Sequence, residues 1–267
     1  MERLLLLKLQ TLHCTAEVAL NGVPLLRSAG ESALATLAVH EYVLSGGNRL
    51  QLTIEPDASS PTPRGAPWGA RGAPLPQADC RLLLPRMGHP ADETRVRTLG
   101  ELAWAAEAGQ RAQLPLELQC DVNLPIAFPR WRWLDAPVVD PRAPLPERVH
   151  DWLETLREDL ARGQTEAFVQ ACRLRTEELA LAYQCDAAGL AEGLREHLAQ
   201  CSERCDGAWL LPPLEELQLR AVAGGRLLEC LDAKGEAALR TEADADGTIW
   251  RMPLRLAVVE GRFYVLR

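Results

Sequence analysis

The chain has 267 residues, 47% of them hydrophobic and 25% charged, which is globular material sufficient for one large core or two ordinary ones. Its net charge of −8 argues against a nucleic-acid backbone or an anionic membrane as the main partner. The acidity is lopsided: residues 1–142 hold 14 basic and 15 acidic side chains and residues 143–267 hold 15 and 22, so an electrostatic function is expected in the second half.

The start, MERLLLLKLQTLHC, has an apolar run of only Leu4–Leu7, broken by Lys8 and Gln10, with no small-residue cleavage site. A buried first strand is expected there rather than a signal peptide. With no stretch near the roughly 18 apolar residues that a membrane span needs, the expected location is cytoplasmic and no membrane partner is expected. Eight cysteines are too few for a disulfide scaffold in a chain of this length and are expected as thiols.

AEVALNGVPLL alternates apolar and polar residues around the tight-turn dipeptide Asn21-Gly22. HEYVLSGGNRLQLTIEP places strands on either side of Ser45–Asn48. The Pro/Gly-rich stretch Ala58–Gln77 has no periodicity and is expected as a long mobile loop. CRLLLP resumes a strand, ADETRVRTLGELAWAA suggests a short helix, and LPLELQCDVNLPIAF alternates again. PRWRW puts Trp131 and Trp133 on one side of an extended segment. Short strands at regular spacing predict a β-sandwich-like domain over 1–134, followed by a proline-rich linker at 135–147.

Beyond the linker the period changes. Val149, Trp152, Leu153, Leu156 and Leu160 mark one helix, which Gly163 ends. Thr165 is placed to cap a second helix reaching about Gln184, and Asp186 a third that carries Leu190, Leu194 and Leu198. Strands are expected over Leu214–Val222, Arg226–Leu231, about Ala237–Glu242, Thr248–Val259 and Arg262–Arg267, separated by glycine-bearing turns. The fold class expected is α+β: the sandwich-like first domain, then three helices on a curved antiparallel sheet over 148–267. That element order and its final hairpin resemble the NTF2-like cone, and the resemblance implies a pocket between helices and sheet.

No complete catalytic motif is present: G-x-S-x-G, G-x-x-x-x-G-K and G-x-G-x-x-G after a strand are all missing. His197, Cys201 and Cys205 fall at i, i+4 and i+8 on one helix face, a zinc-like trio that Cys185 would complete. The paired knuckles of structural zinc sites are missing and cysteine is an ordinary core residue, so packing is the expected role, with no metal or other cofactor. Asp232-Ala233-Lys234 resembles the acidic-x-Lys half of restriction-type nucleases. Its Pro-Asp companion is absent upstream, and a polar hairpin turn explains it. Tyr264 is the one acid–base candidate in the sheet region, without a matched partner. The glycines of NG…GGNRLQL resemble those of jelly-roll sugar-binding modules, and turn geometry accounts for them.

What remains is binding. Glu215, Glu216, Glu242, Asp244 and Asp246 could form an acidic face that steers a basic partner, and Trp131 and Trp133 could anchor it. The plainer roles are solvated loops for the carboxylates and packing for the indoles. In overall texture, including PRWRWLDAP and the ending VVEGRFYVLR, the chain resembles cytoplasmic immunity proteins of type VI secretion systems. The resemblance implies no enzyme activity, and a cognate protein toxin, a nuclease effector, as the partner. The alternatives are a small-molecule binder or enzyme using an NTF2-like pocket at Tyr264, and an adaptor or chaperone for a secreted effector.

Overall fold

The computed structural model describes residues 5–28, 30–55, 67–69, 72–85, 96–110, 114–124, 129–140, 142–143, 146–205 and 207–266. The chain is mixed α+β, with antiparallel sheets and four α-helices among the described residues. It divides into two compact units, Met1–Phe128 and Pro129–Arg267, so the Trp131–Trp133 stretch groups with the second unit rather than the first.

The first unit is built from β1 (Leu6–Leu12), β2 (Thr15–Leu20), β3 (Val23–Ser28), β4 (Ser32–Ala38), β5 (Gly46–Glu55), β6 (Gln77–Pro85), β7 (Val96–Ala105) and β8 (Leu116–Leu124). They form two four-stranded sheets, ordered β4-β1-β6-β7 and β3-β2-β5-β8. Alternation sets what is buried: Leu7 and Leu9 of β1, Val18 and Leu20 of β2, and Leu50 and Leu52 of β5 are fully enclosed, while Lys8, Ala19 and Gln51 between them are more exposed. At the β7 edge the sheets come close. A Cβ on Gly100 would stand 2.5 Å from Val122 Cγ2 of β8, so only glycine fits there.

The short helix expected within ADETRVRTLGELAWAA is instead strand from Val96 on. Leu102 is buried between exposed Glu101 and Ala103, and the period of two outweighed the helix propensity of the alanines. Most of the Ala58–Gln77 loop lies outside the described residues. Trp68 within it is held to the end of β7, donating its N–H to the Gln110 carbonyl and packing edge-on against Trp104.

The second unit contains α1 (Glu147–Ala161), α2 (Glu166–Ala171), α3 (Arg173–Tyr183) and α4 (Ala187–Arg204). They are followed by β9 (Gln218–Val222), β10 (Leu227–Leu231), β11 (Leu239–Ala243), β12 (Ile249–Met252), β13 (Leu254–Val259) and β14 (Arg262–Leu266). The second expected helix is two, because the chain bends at Cys172. Thr165 makes no side-chain cap, whereas Asp186 caps α4 by accepting from the Gly189 N–H at 2.8 Å. The single strand expected over Thr248–Val259 is also two. Pro253 has no N–H for a ladder, so β12 pairs with β11 in a two-stranded sheet and β13 joins the sheet β14-β13-β10-β9. Apolar residues of all four helices or their ends meet Leu228, Cys230, Leu254, Leu256 and Val265 of the sheet in one continuous core.

Candidate functional site

The opposite face of the sheet β14-β13-β10-β9 carries charge into the interior. Glu229 of β10 is 3% exposed and accepts from Arg255 Nε of β13 and Arg220 Nε of β9, each at 2.8 Å. The strand pairing puts all three residues in one cross-strand row. A 3-10 turn at Arg132–Asp135 packs against β13. The Glu178 carboxylate of α3 clasps this turn, accepting from the backbone N–H of Arg132 and from the Tyr264 hydroxyl at 2.8 Å. Burial lifts the Glu178 carboxyl above the ordinary glutamate range, and those two hydrogen bonds oppose the lift.

These contacts decide several expected roles. Trp131 and Trp133 are each 1% exposed, so both indoles are spent inside the fold and offer a partner no surface. Tyr264 is fully enclosed and hydrogen-bonded to a carboxylate, so it lines no ligand cavity. Between helices and sheet, Leu153, Leu156, Phe168, Leu198 and Trp209 fill the space where a cone pocket would lie. Beyond the 3-10 turn, the proline-rich stretch docks on the β9–β10 turn. Val139 N–H donates to the Gly225 carbonyl and Arg226 Nη1 to the Ala136 carbonyl. Gly225, at φ +85°, lets this backbone come close: a Cβ there would meet Val138 Cγ1 at 2.8 Å.

The metal trio does not converge. Cys201 Sγ lies 3.9 Å from His197 Nε2, but Cys205 turns to Thr241 Oγ1 at 3.2 Å, and Cys185 stands exposed before α4 begins. Among the described residues no group of three or more His, Cys, Asp or Glu is placed to hold an ion. Asp232 belongs to a turn. Its Oδ1 accepts from the N–H groups of Lys234 and Glu236, and Asp244 repeats the pattern with Asp246 and Thr248. Burial pushes the Asp232 carboxyl up, but those backbone donors and Arg251 outweigh it and hold the group below its ordinary range. In the first unit the Asn residues of the NG and GGN turns are likewise occupied. Asn48, 3% exposed, accepts from the Leu44 N–H and from Asn21 Nδ2 and donates to the Leu44 and Gly46 carbonyls.

The acidic candidates sit on two separate elements. Glu215 and Glu216 lie in the 3-10 turn Leu214–Glu216, and Glu242, Asp244 and Asp246 at the β11–β12 hairpin. Glu215, Glu216, Glu242 and Asp246 are exposed, and none of them makes an ion pair among the described residues. The contrast is with Glu154, Asp159, Glu166, Glu177, Glu192 and Glu236 of the same unit, each of which holds an arginine.

The sequence reading missed one feature. A groove of ≈ 340 Å3 opens where α1, the α2–α3 bend and β14 meet, and it is lined by Arg148, Trp152, Gln170, Arg173, Arg262 and Phe263 among others. Trp152 and Phe263 stack with centroids 4.7 Å apart and planes 23° from parallel, and the Arg148 guanidinium lies 5.2 Å from the Phe263 centroid. The i, i+4 spacing of Arg148 and Trp152 was legible, but the other walls come from distant parts of the chain. A second groove, ≈ 290 Å3, is lined by His197, Cys201, Arg204 and Trp250, with Arg204 5.6 Å from the Trp250 centroid.

No family model, curated protein or solved structure matches this chain.

Proposed function

We propose that the chain is a cytoplasmic immunity protein that binds and neutralises a cognate type VI secretion toxin, with a nuclease as the class of target. The observation that carries this reading is the set of exposed carboxylates Glu215, Glu216, Glu242 and Asp246 on two turns of the second unit, none of them in an ion pair among the described residues, where about half of that unit's other acids are held by arginines. A nuclease must offer phosphates a basic groove, and carboxylates fixed on a folded frame can occupy that groove as a charge mimic. The two-layer arrangements support a β-sandwich for the first unit and an NTF2-like arrangement for the second, here with the cone filled by side chains so that the outer surface does the binding.

The test is co-expression with a candidate secreted toxin domain, sought first among the genes beside this one, with growth and toxin activity both followed. Restored growth together with abolished toxin activity in the purified mixture supports the reading. Tight binding with toxin activity intact would make the chain an adaptor instead. An absence of any complex would remove the toxin from the account.

A further inference from the structure

We propose that the groove between α1, the α2–α3 bend and β14 is a binding site for a small phosphate monoester bearing a planar ring, the chemistry of a nucleoside monophosphate. The site does not depend on toxin neutralisation and involves none of the carboxylates invoked for it.

Charge points to the anion. Arg148, Arg173 and Arg262 are exposed around one small volume of a unit whose net charge is strongly negative. Arg148 and Arg262 have no carboxylate partner among the described residues, and Arg173 reaches Glu177 only at 3.6 Å. That is longer than a charge-assisted hydrogen bond of about 2.7–2.9 Å. In the same unit Arg157, Arg162, Arg195 and Arg251 are all drawn into close pairs at 3.2 Å or less. Guanidiniums kept together and unneutralised amid available acids repel one another, and an incoming anion removes that repulsion. One peptide carboxylate fits a single guanidinium fork. A phosphate monoester carries close to two charges and three acceptor oxygens, matching two free guanidiniums and a third loosely held one.

The aromatic shelf points to the ring. Trp152 and Phe263 are half-buried and line the groove beside the arginines, so a planar group can stack there while its phosphate reaches Arg148 and Arg262. The groove's volume falls within the roughly 300–1,000 Å3 of small-molecule sites. A long polyanion is disfavoured, because the net negative charge of the chain would repel the part that lies outside the groove.

The experiment is calorimetric titration of the full chain with adenosine monophosphate, inorganic phosphate, adenosine and a tetraglutamate peptide. Adenosine monophosphate should bind at least about tenfold tighter than phosphate and tighter still than adenosine, since each lacks one half of the recognised chemistry. The pair Arg148→Gln and Arg262→Gln should weaken adenosine monophosphate tenfold or more, and Trp152→Leu should shrink its advantage over phosphate. Arg49→Gln, which alters an exposed ion pair with Asp121 of the first unit, should alter neither. Equal affinity for adenosine and its monophosphate, tighter binding of tetraglutamate, or no heat from adenosine monophosphate at millimolar concentration would each overturn the proposal. The ligand comparison on the unaltered chain decides even if a variant fails to fold. Loss of this binding with toxin neutralisation intact would separate the two functions.

Discussion

The two units handle buried polarity in different ways. The first encloses an aliphatic interior and spends its turn amides on the backbone: buried Asn48 and half-buried Asn21 satisfy backbone groups around the β2–β3 and pre-β5 turns. The second encloses ions, with Arg220–Glu229–Arg255 across three strands and Glu178 between a tyrosine hydroxyl and a backbone N–H. It also leaves both unpaired acids and unpaired arginines outside. Buried charge is costly unless paired, so these networks fix which strands and turns sit together, while the unpaired surface charges are free for recognition. The contrast is the ground on which both proposals place binding in the second unit.

The largest effect that could break this contrast is expected from Glu229→Ala. It removes the carboxylate that holds the Arg255 guanidinium, only 4% exposed, and should cost about 3–5 kcal/mol in denaturant unfolding. A cost near zero would mean that water already reaches the pair. Asn48→Ala comes next, at about 2–4 kcal/mol, because several buried backbone groups lose their partner together. Its consequence should be confined to the first unit. The buried thiols give the readout: in Asn48→Ala, Cys14 and Cys80 should react faster with a thiol reagent while Cys172 and Cys230 stay slow. Burial pushes the Cys80 and Cys230 thiols up to about 12, so neither reacts at neutral pH until its surroundings open, and exposed Cys185 labels first.

Gly100→Ala should cost about 1–3 kcal/mol, since the new methyl meets Val122 Cγ2 and the sheets must part to admit it. Pairing it with Val122→Ala should recover part of that loss. The smallest effect is a pH dependence. Because burial raises the Glu178 carboxyl, the folded chain holds that proton to higher pH than the unfolded chain. Its contribution to stability is therefore full below the ordinary glutamate pKa and is lost as pH rises through the raised value. Glu178→Gln should remove this slope, so stability relative to the unaltered chain should drift in the variant's favour as pH rises above the ordinary glutamate range. An opposite drift would mean that the hydrogen bonds from Tyr264 and Arg132 outweigh burial.

Local signals were legible where chemistry is local. Asn21-Gly22 and the Asp-Ala-x-Gly turns, the Asp186 cap and the apolar stripe of α1 all read directly, because each depends on residues a few positions apart. The bend at Cys172 has no glycine or proline to announce it. Pro253 did announce the break between β12 and β13, but the alternation running through it masked the signal. Trp131 and Trp133 show a different limit: sequence marks an indole as a good anchor but not whether the anchor is used inside the fold or outside it. The arginine–aromatic groove was illegible for a third reason. Arg148 and Arg262 come from opposite ends of the second unit, and only the packing of α1 on the β13–β14 hairpin brings them to one site.

The central claim is that unpaired carboxylates of the second unit capture a basic toxin. The most direct measurement is affinity for a candidate toxin domain, sought first among the genes beside this one, at low and at moderate salt. It compares the unaltered chain with one carrying Glu215→Gln, Glu216→Gln, Glu242→Gln and Asp246→Asn. The account predicts tight binding that weakens with salt, and a slower association and shallower salt dependence in the variant, whose unfolding midpoint should change little because these exposed side chains make no ion pair among the described residues. Equal affinity and equal salt dependence for the two chains would contradict it and place the contact elsewhere.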